Sequence, residues 1–123
     1  MSTPARRPPL DLVADDADDA RERVTYELVI DAASLYLEGH FPGFPIFPGV
    51  AQLTAVVMPG IRLRWPELAQ PRRIGRLKFR APILPDDRLR LHLERERGAS
   101  LVRFRVDREG RACTEGALEF PPA

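Results

Sequence analysis

Residues 24–30 read VTYELVI, a run rich in β-branched and aromatic side chains that predicts a strand, buried mostly towards its end. The second half of the chain carries a stricter pattern. Leu77 and Phe79 alternate with Arg76, Lys78 and Arg80; Leu89, Leu91 and Leu93 alternate with Arg88, Arg90, His92 and Glu94; Val102, Phe104 and Val106 alternate with Arg103, Arg105 and Asp107. An apolar side chain at every second position marks a half-buried strand. The turn signals RGAS and DREG separate the later strands and lead into a last one over residues 111–120. Between the first strand and this antiparallel meander lies VAQLTAVVM, residues 50–58, apolar around its whole axis, as in a short helix buried on most sides. Pro59 and Gly60 interrupt that helix, and IRLRWPEL after them fits either a resumed helix or a loop. One strand, one buried helix and several antiparallel strands predict an α+β fold with a sheet wrapped around a central helix.

The first 22 residues, with Pro4, Pro8, Pro9 and the run DDADDARE, predict a flexible acidic tail ahead of a single domain over residues 23–123. A chain of 123 residues has room for one core and no second domain. No apolar run approaches the ~18 residues of a membrane span, and MSTPARRPPLDLV lacks the apolar stretch of a secretory signal, so a cytoplasmic protein is expected. Cys113 is the single cysteine, and two histidines add no zinc-like spacing; neither a disulfide nor a metal or other cofactor is expected. The net charge of +1 hides an asymmetry. Residues 1–22 hold three Arg against six acidic residues, net −3, which leaves 16 basic against 12 acidic, net +4, in the remainder. That mild excess suits an acidic partner but not a nucleic acid, which needs a denser basic stripe.

GHFPGFPIFPG, residues 39–49, holds three prolines and three glycines and cannot be regular helix or central strand. Phe41, Phe44, Ile46 and Phe47 make it too apolar for a solvent-washed linker. With Val50 this segment resembles the signature of hot-dog-fold 3-hydroxyacyl-acyl-carrier-protein dehydratases: a histidine, a Phe-Pro-Gly turn and a Pro-Gly-Val helix start. LKFRAPILPDDRLRLHLE, residues 77–94, resembles the family's strand, proline turn and following strand, so the similarity spans roughly residues 24–120. PGVAQL, residues 48–53, looks closest to the aryl-polyene-type branch of the family.

The resemblance implies an acyl-thioester dehydratase working on a carrier protein. His40 would be the base, since an imidazole titrating near neutrality can take an acidic Cα proton. The backbone amides of Gly49 and Val50, at the positive end of the helix dipole, would hold the thioester oxygen. Phe44, Phe47 and Leu53 would line an acyl tunnel at the interface of a homodimer or of a heterodimer with a homologous subunit. Core packing explains these apolar residues equally well. The departure is Thr54: fourteen residues after the histidine the family places Glu or Asp, and a threonine hydroxyl is a poor acid, although it can orient a water. Met58 stands where a glutamine is common.

Glu38, two residues before His40, is the candidate substitute acid if the chain does not turn at Gly39. Arg72, Arg73, Arg76, Lys78 and Arg80 are candidates for attracting an acidic carrier or its phosphopantetheine phosphate. His92 falls on a polar strand face, where cross-strand pairing is expected, and Cys113 reads as a small buried thiol. Two alternatives share the fold: a catalytically impaired acyl-binding or partner subunit, supported by Thr54, and a thioester hydrolase, for which the helix offers no carboxylate.

Overall fold

The alternating segments form strands where the pattern places them. In a computed structural model, which describes residues 8–30, 52–84 and 86–122, one antiparallel sheet contains β1 (Asp11–Ala17), β2 (Arg21–Val29), β3 (Arg73–Phe79), β4 (Arg88–Glu96), β5 (Leu101–Arg108) and β6 (Arg111–Glu119). Their spatial order is β1-β2-β4-β5-β6-β3. β4, β5 and β6 are the expected meander. Its two turns carry Gly98 and Gly110 at φ 77° and 79°, a left-handed conformation that a Cβ would strain. β2 lies beside β4, and β3 crosses to the far edge beside β6.

Val24, Tyr26 and Leu28 of β2, Leu89, Leu91 and Leu93 of β4, and Val102, Phe104 and Val106 of β5 turn to one face and are buried there. The helix lies on that face, adding Ala55, Val56, Val57, Met58 and Ile61 to the same core. β2 alternates along its whole length, with Thr25, Glu27 and Val29 on the outer face, rather than becoming buried only towards its end.

The acidic N-terminal run departs from the expected tail. Asp11–Ala17 is an edge strand whose every residue is exposed, paired with β2 through Asp15↔Val24, Asp16↔Arg23 and Ala17↔Glu22. The hairpin closes on Asp18, whose Oδ1 accepts the N–H groups of Ala20 and Arg21, both at 2.8 Å. Those two bonds favour the ionised carboxyl and lower its pKa. A hydrophobic pattern cannot reveal a strand held by its backbone ladder and an ion pair of Asp15.

The helix is the second departure, for it runs through Pro59 and Gly60. Leu53–Val57 is a π-helical turn, in which the Met58 N–H reaches the Leu53 carbonyl, and an α-helix, α1 (Met58–Arg64), continues from it. The wider turn explains the proline: Pro59 sits at the start of α1, where a missing N–H costs least. Gly60 is required by packing. A Cβ there would lie 2.6 Å from Leu91 Cδ2 and 3.3 Å from Leu93 Cδ1, both on fully buried side chains. Gly60→Val should therefore lower stability by about 2 kcal/mol, the scale of an overpacked core. Urea denaturation measures it; an unchanged midpoint would mean that the helix can lift from the sheet.

The C-terminal end of α1 is fastened at several points. Arg64 donates to Asp15 at 3.2 Å and to Glu22 at 3.0 Å, tying the helix to the β1–β2 hairpin. Trp65 is 2% exposed, with the guanidinium groups of Arg64 and Arg95 at 5.4 and 5.8 Å from its ring centroid. Arg95 in turn donates to the Ala99 carbonyl at 2.6 Å and to Glu67 at 2.8 Å.

Candidate active site

The π-helical turn positions the described part of the site. Ala55, Val56, Val57 and Met58 face the core, whereas Thr54 is exposed on the other side of the helix. Met58 is buried among apolar neighbours, so the position where the family often has glutamine serves packing here. His40, Phe44, Phe47, Gly49 and Val50, together with Glu38, lie outside the described residues.

Gln52 and Thr114 form a buried polar pair that the sequence pattern did not reveal. Thr114 of β6 donates its hydroxyl to Gln52 Oε1 at 2.5 Å, and both residues are almost fully buried. The bond fixes the start of the helix against β6, two residues before Thr54. The available signal was a break in period two: Cys113 and Thr114 are consecutive and both face inward.

β3 borders this region with an apolar edge. Ile74 lies opposite Leu118 and Phe79 opposite Thr114, both buried partners on the helix side of the sheet. Yet Ile74, Leu77 and Phe79 remain 47%, 37% and 55% exposed, because β3 ends the sheet beyond the reach of the helix. Arg76 adopts φ 52° within a register shift between Gly75 and Lys78. Of the basic residues around this strand, Arg80 pairs with Glu115 at 2.6 Å and Arg72 approaches Glu119 at 3.8 Å. Arg73, Arg76 and Lys78 make no ion pair among the described residues.

His92 stands on the outer sheet face, away from the helix. Its Nε2 is 3.0 Å from Asp107 Oδ2 and its Nδ1 is 3.2 Å from the Thr25 hydroxyl. Burial lowers its pKa below the ordinary value, opposed by the Asp107 carboxylate. Cys113 is buried, and desolvation raises its thiol pKa, which suppresses the reactive thiolate. No group of metal-ligating side chains occurs among the described residues, and no helix there is long and apolar enough to cross a membrane.

The family model described as ApeI dehydratase, of the ApeI-like group, matches residues 16–117. The chain belongs to the ApeI-like dehydratases. Its sheet and helix are the hot-dog fold of that family. It is 37% identical over 83 residues to the 3-hydroxyacyl-[acyl-carrier-protein] dehydratase FabZ of Pelotomaculum thermopropionicum, a match covering 63% of this chain and 59% of the relative. Against FabZ of Helicobacter pylori strain G27 it is 40% identical over 68 residues, covering 46% and 43%. The chain thus spans well under two thirds of the length of these curated relatives.

Among solved structures, the ApeI-like chain resembles an uncharacterized protein from Erwinia carotovora subsp. atroseptica, with TM-score 0.73, 27% identity and coverage of 93% of this chain and 97% of the other. It also resembles the dehydratase heterocomplex ApeI:P from Xenorhabdus doucetiae, with TM-score 0.73, 25% identity and coverage of 90% and 96%. Thr54 therefore sits exposed on the helix of an ApeI-like dehydratase.

Proposed function

We propose that this ApeI-like protein dehydrates 3-hydroxyacyl thioesters carried on an acyl carrier protein. The carrying observation is the segment GHFPGFPIFPGV in a chain whose family match runs from residue 16 to residue 117. In this reading His40 removes a Cα proton, and the charge that develops on the thioester oxygen is held by the amides of Gly49 and Val50. The Cβ–O bond then breaks, the hydroxyl leaves with a proton as water, and an enoyl thioester remains. Thr54 orients a water that relays this proton from the protonated His40 imidazole to the departing hydroxyl, so the Cα proton leaves in the product water and His40 returns to its neutral form. Phe44, Phe47 and Leu53 line the acyl tunnel, and no cofactor takes part. The test is formation of enoyl absorbance from a 3-hydroxyacyl thioester; absence of turnover on both carrier-bound and CoA thioesters would overturn the reading.

The site is completed by a second subunit seated along β3. An exposed edge strand bearing Ile74, Leu77 and Phe79 is a template for pairing that soluble proteins usually blunt. Leu77→Asp combined with Phe79→Asp should convert the dimer to monomer and remove most turnover, with little loss of monomer fold because both side chains are already exposed. Light scattering and the enoyl assay check this; a dimer that persists with full activity would place the interface elsewhere.

A second reading is favoured by Thr54 specifically: an impaired acyl-binding subunit that pairs with an active dehydratase. A solved structural neighbour is itself described as a heterocomplex. This reading requires wild-type turnover to appear only when a homologous partner subunit is added.

A further inference from the structure

The outer sheet face carries positive charge that the fold does not neutralise. Three rows cross it. Arg23, Glu94 and Arg103 lie side by side on β2, β4 and β5; Thr25, His92 and Arg105 form the next row; Glu27, Arg90 and Asp107 form the third. In the first row the Glu94 carboxylate lies between two guanidinium groups, and it pairs with Arg23 of that row and with Arg21 beyond it. Glu94 Oε1 takes Arg21 and Oε2 takes Arg23, each at 3.2 Å. Both oxygens are engaged, so Arg103, the residue directly opposite Glu94 on β5, has no ion pair among the described residues.

Arg105, two residues further along the same face and roughly 7 Å away, holds its Nε 2.8 Å from Asp107 Oδ1 as an ion pair. Its terminal nitrogens keep donors to offer. Arg23, Arg103 and Arg105 surround a surface basin of about 280 Å³ that has Thr25, His92 and Glu94 in its lining. Three guanidinium groups face it against the Glu94 carboxylate, with Asp107 beside Arg105 and His92 as the second negative group, so Arg103 is the lining cation with no ion pair among the described residues. Asp107 accepts only, so His92 Nε2 carries the hydrogen and Nδ1 receives the Thr25 hydroxyl. That chain fixes the imidazole on the sheet, and like charges set this close call for an outside counter-ion.

We infer that this basin binds a phosphate group, gripped by Arg103 and Arg105 with Arg23 across from them. Guanidinium forks match phosphate oxygens in pairs, which favours phosphate over a single carboxylate. The site lies on the sheet face opposite the helix and does not depend on the dehydratase reading.

The test is a titration of the full chain with inorganic phosphate, followed by amide and His92 ring resonances. Saturable shifts at Thr25, His92, Arg103 and Arg105 are expected, weakening as salt is added. Arg103→Glu should weaken binding by about tenfold or more. Glu94→Gln should tighten it, because it releases Arg21 and Arg23; this second variant keeps the test valid if Arg103→Glu folds poorly. A parallel titration with phosphopantetheine separates the sources: tighter binding than phosphate assigns the site to a monoester, and equal binding assigns it to the free ion. Shifts that fail to saturate, or that neither variant alters, would overturn the inference.

Discussion

Thr54→Glu should raise turnover of a 3-hydroxyacyl thioester by about 10²- to 10⁴-fold, the contribution typical of a positioned general acid. Elimination needs a proton on the departing hydroxyl, and a threonine supplies it only through water. The position can take the larger side chain. Thr54 is exposed, so glutamate need not displace the buried Ala55–Met58 stretch, and it is the better helix former. Thr54→Gln, equal in length but without an ionisable proton, should give no such gain. The gain of the glutamate variant should fade as pH rises through its pKa, because only the protonated carboxyl donates. Initial rates by enoyl absorbance across pH decide the matter; no gain from glutamate would mean that the threonine and its water already do the work.

The largest loss of stability is expected at Trp65. Trp65→Ala should cost about 3–5 kcal/mol, the range for deleting a buried aromatic. The indole closes the C-terminal end of α1 against the sheet, and its removal leaves Arg64 and Arg95 without the ring they flank. Arg95, only 8% exposed, would then border a cavity. Trp65→Phe should be far milder, since it keeps most of the apolar surface and deletes an indole N–H that has no acceptor among the described residues. Chemical denaturation measures both; a cost below about 1 kcal/mol for Trp65→Ala would show that the end of the helix contributes little to the fold.

The legible part of the fold was the part in which burial alternates. Leu89, Leu91 and Leu93 are apolar because one face of β4 is covered, and that asymmetry is written directly in the sequence. β1 was illegible for the opposite reason: its side chains are all exposed, and what distinguishes DLVADDA from a solvated tail, its backbone bonds and the Asp15–Arg64 ion pair, leaves no mark in the hydrophobic pattern. Pro59 and Gly60 misled because local propensity opposes a helix there, while a π-helical turn and tight contact with Leu91 override it. Leu77 and Phe79 read as core residues, yet they lie on an edge, and the alternation does not say where a sheet ends.

Of the candidate site, the motif around His40 was legible as a resemblance, and Thr54 was placed correctly on the helix. The Gln52–Thr114 pair was not legible, because its two members are 62 residues apart and only the sheet brings them together.

The dehydratase activity and the role of His40 are tested together by comparing wild-type protein and His40→Ala for enoyl formation from a 3-hydroxyacyl thioester, at equal concentration and with matched circular dichroism. Measurable turnover is expected in the wild type, with a loss of about 10²-fold or more in the variant. Equal rates in the two proteins would contradict this expectation.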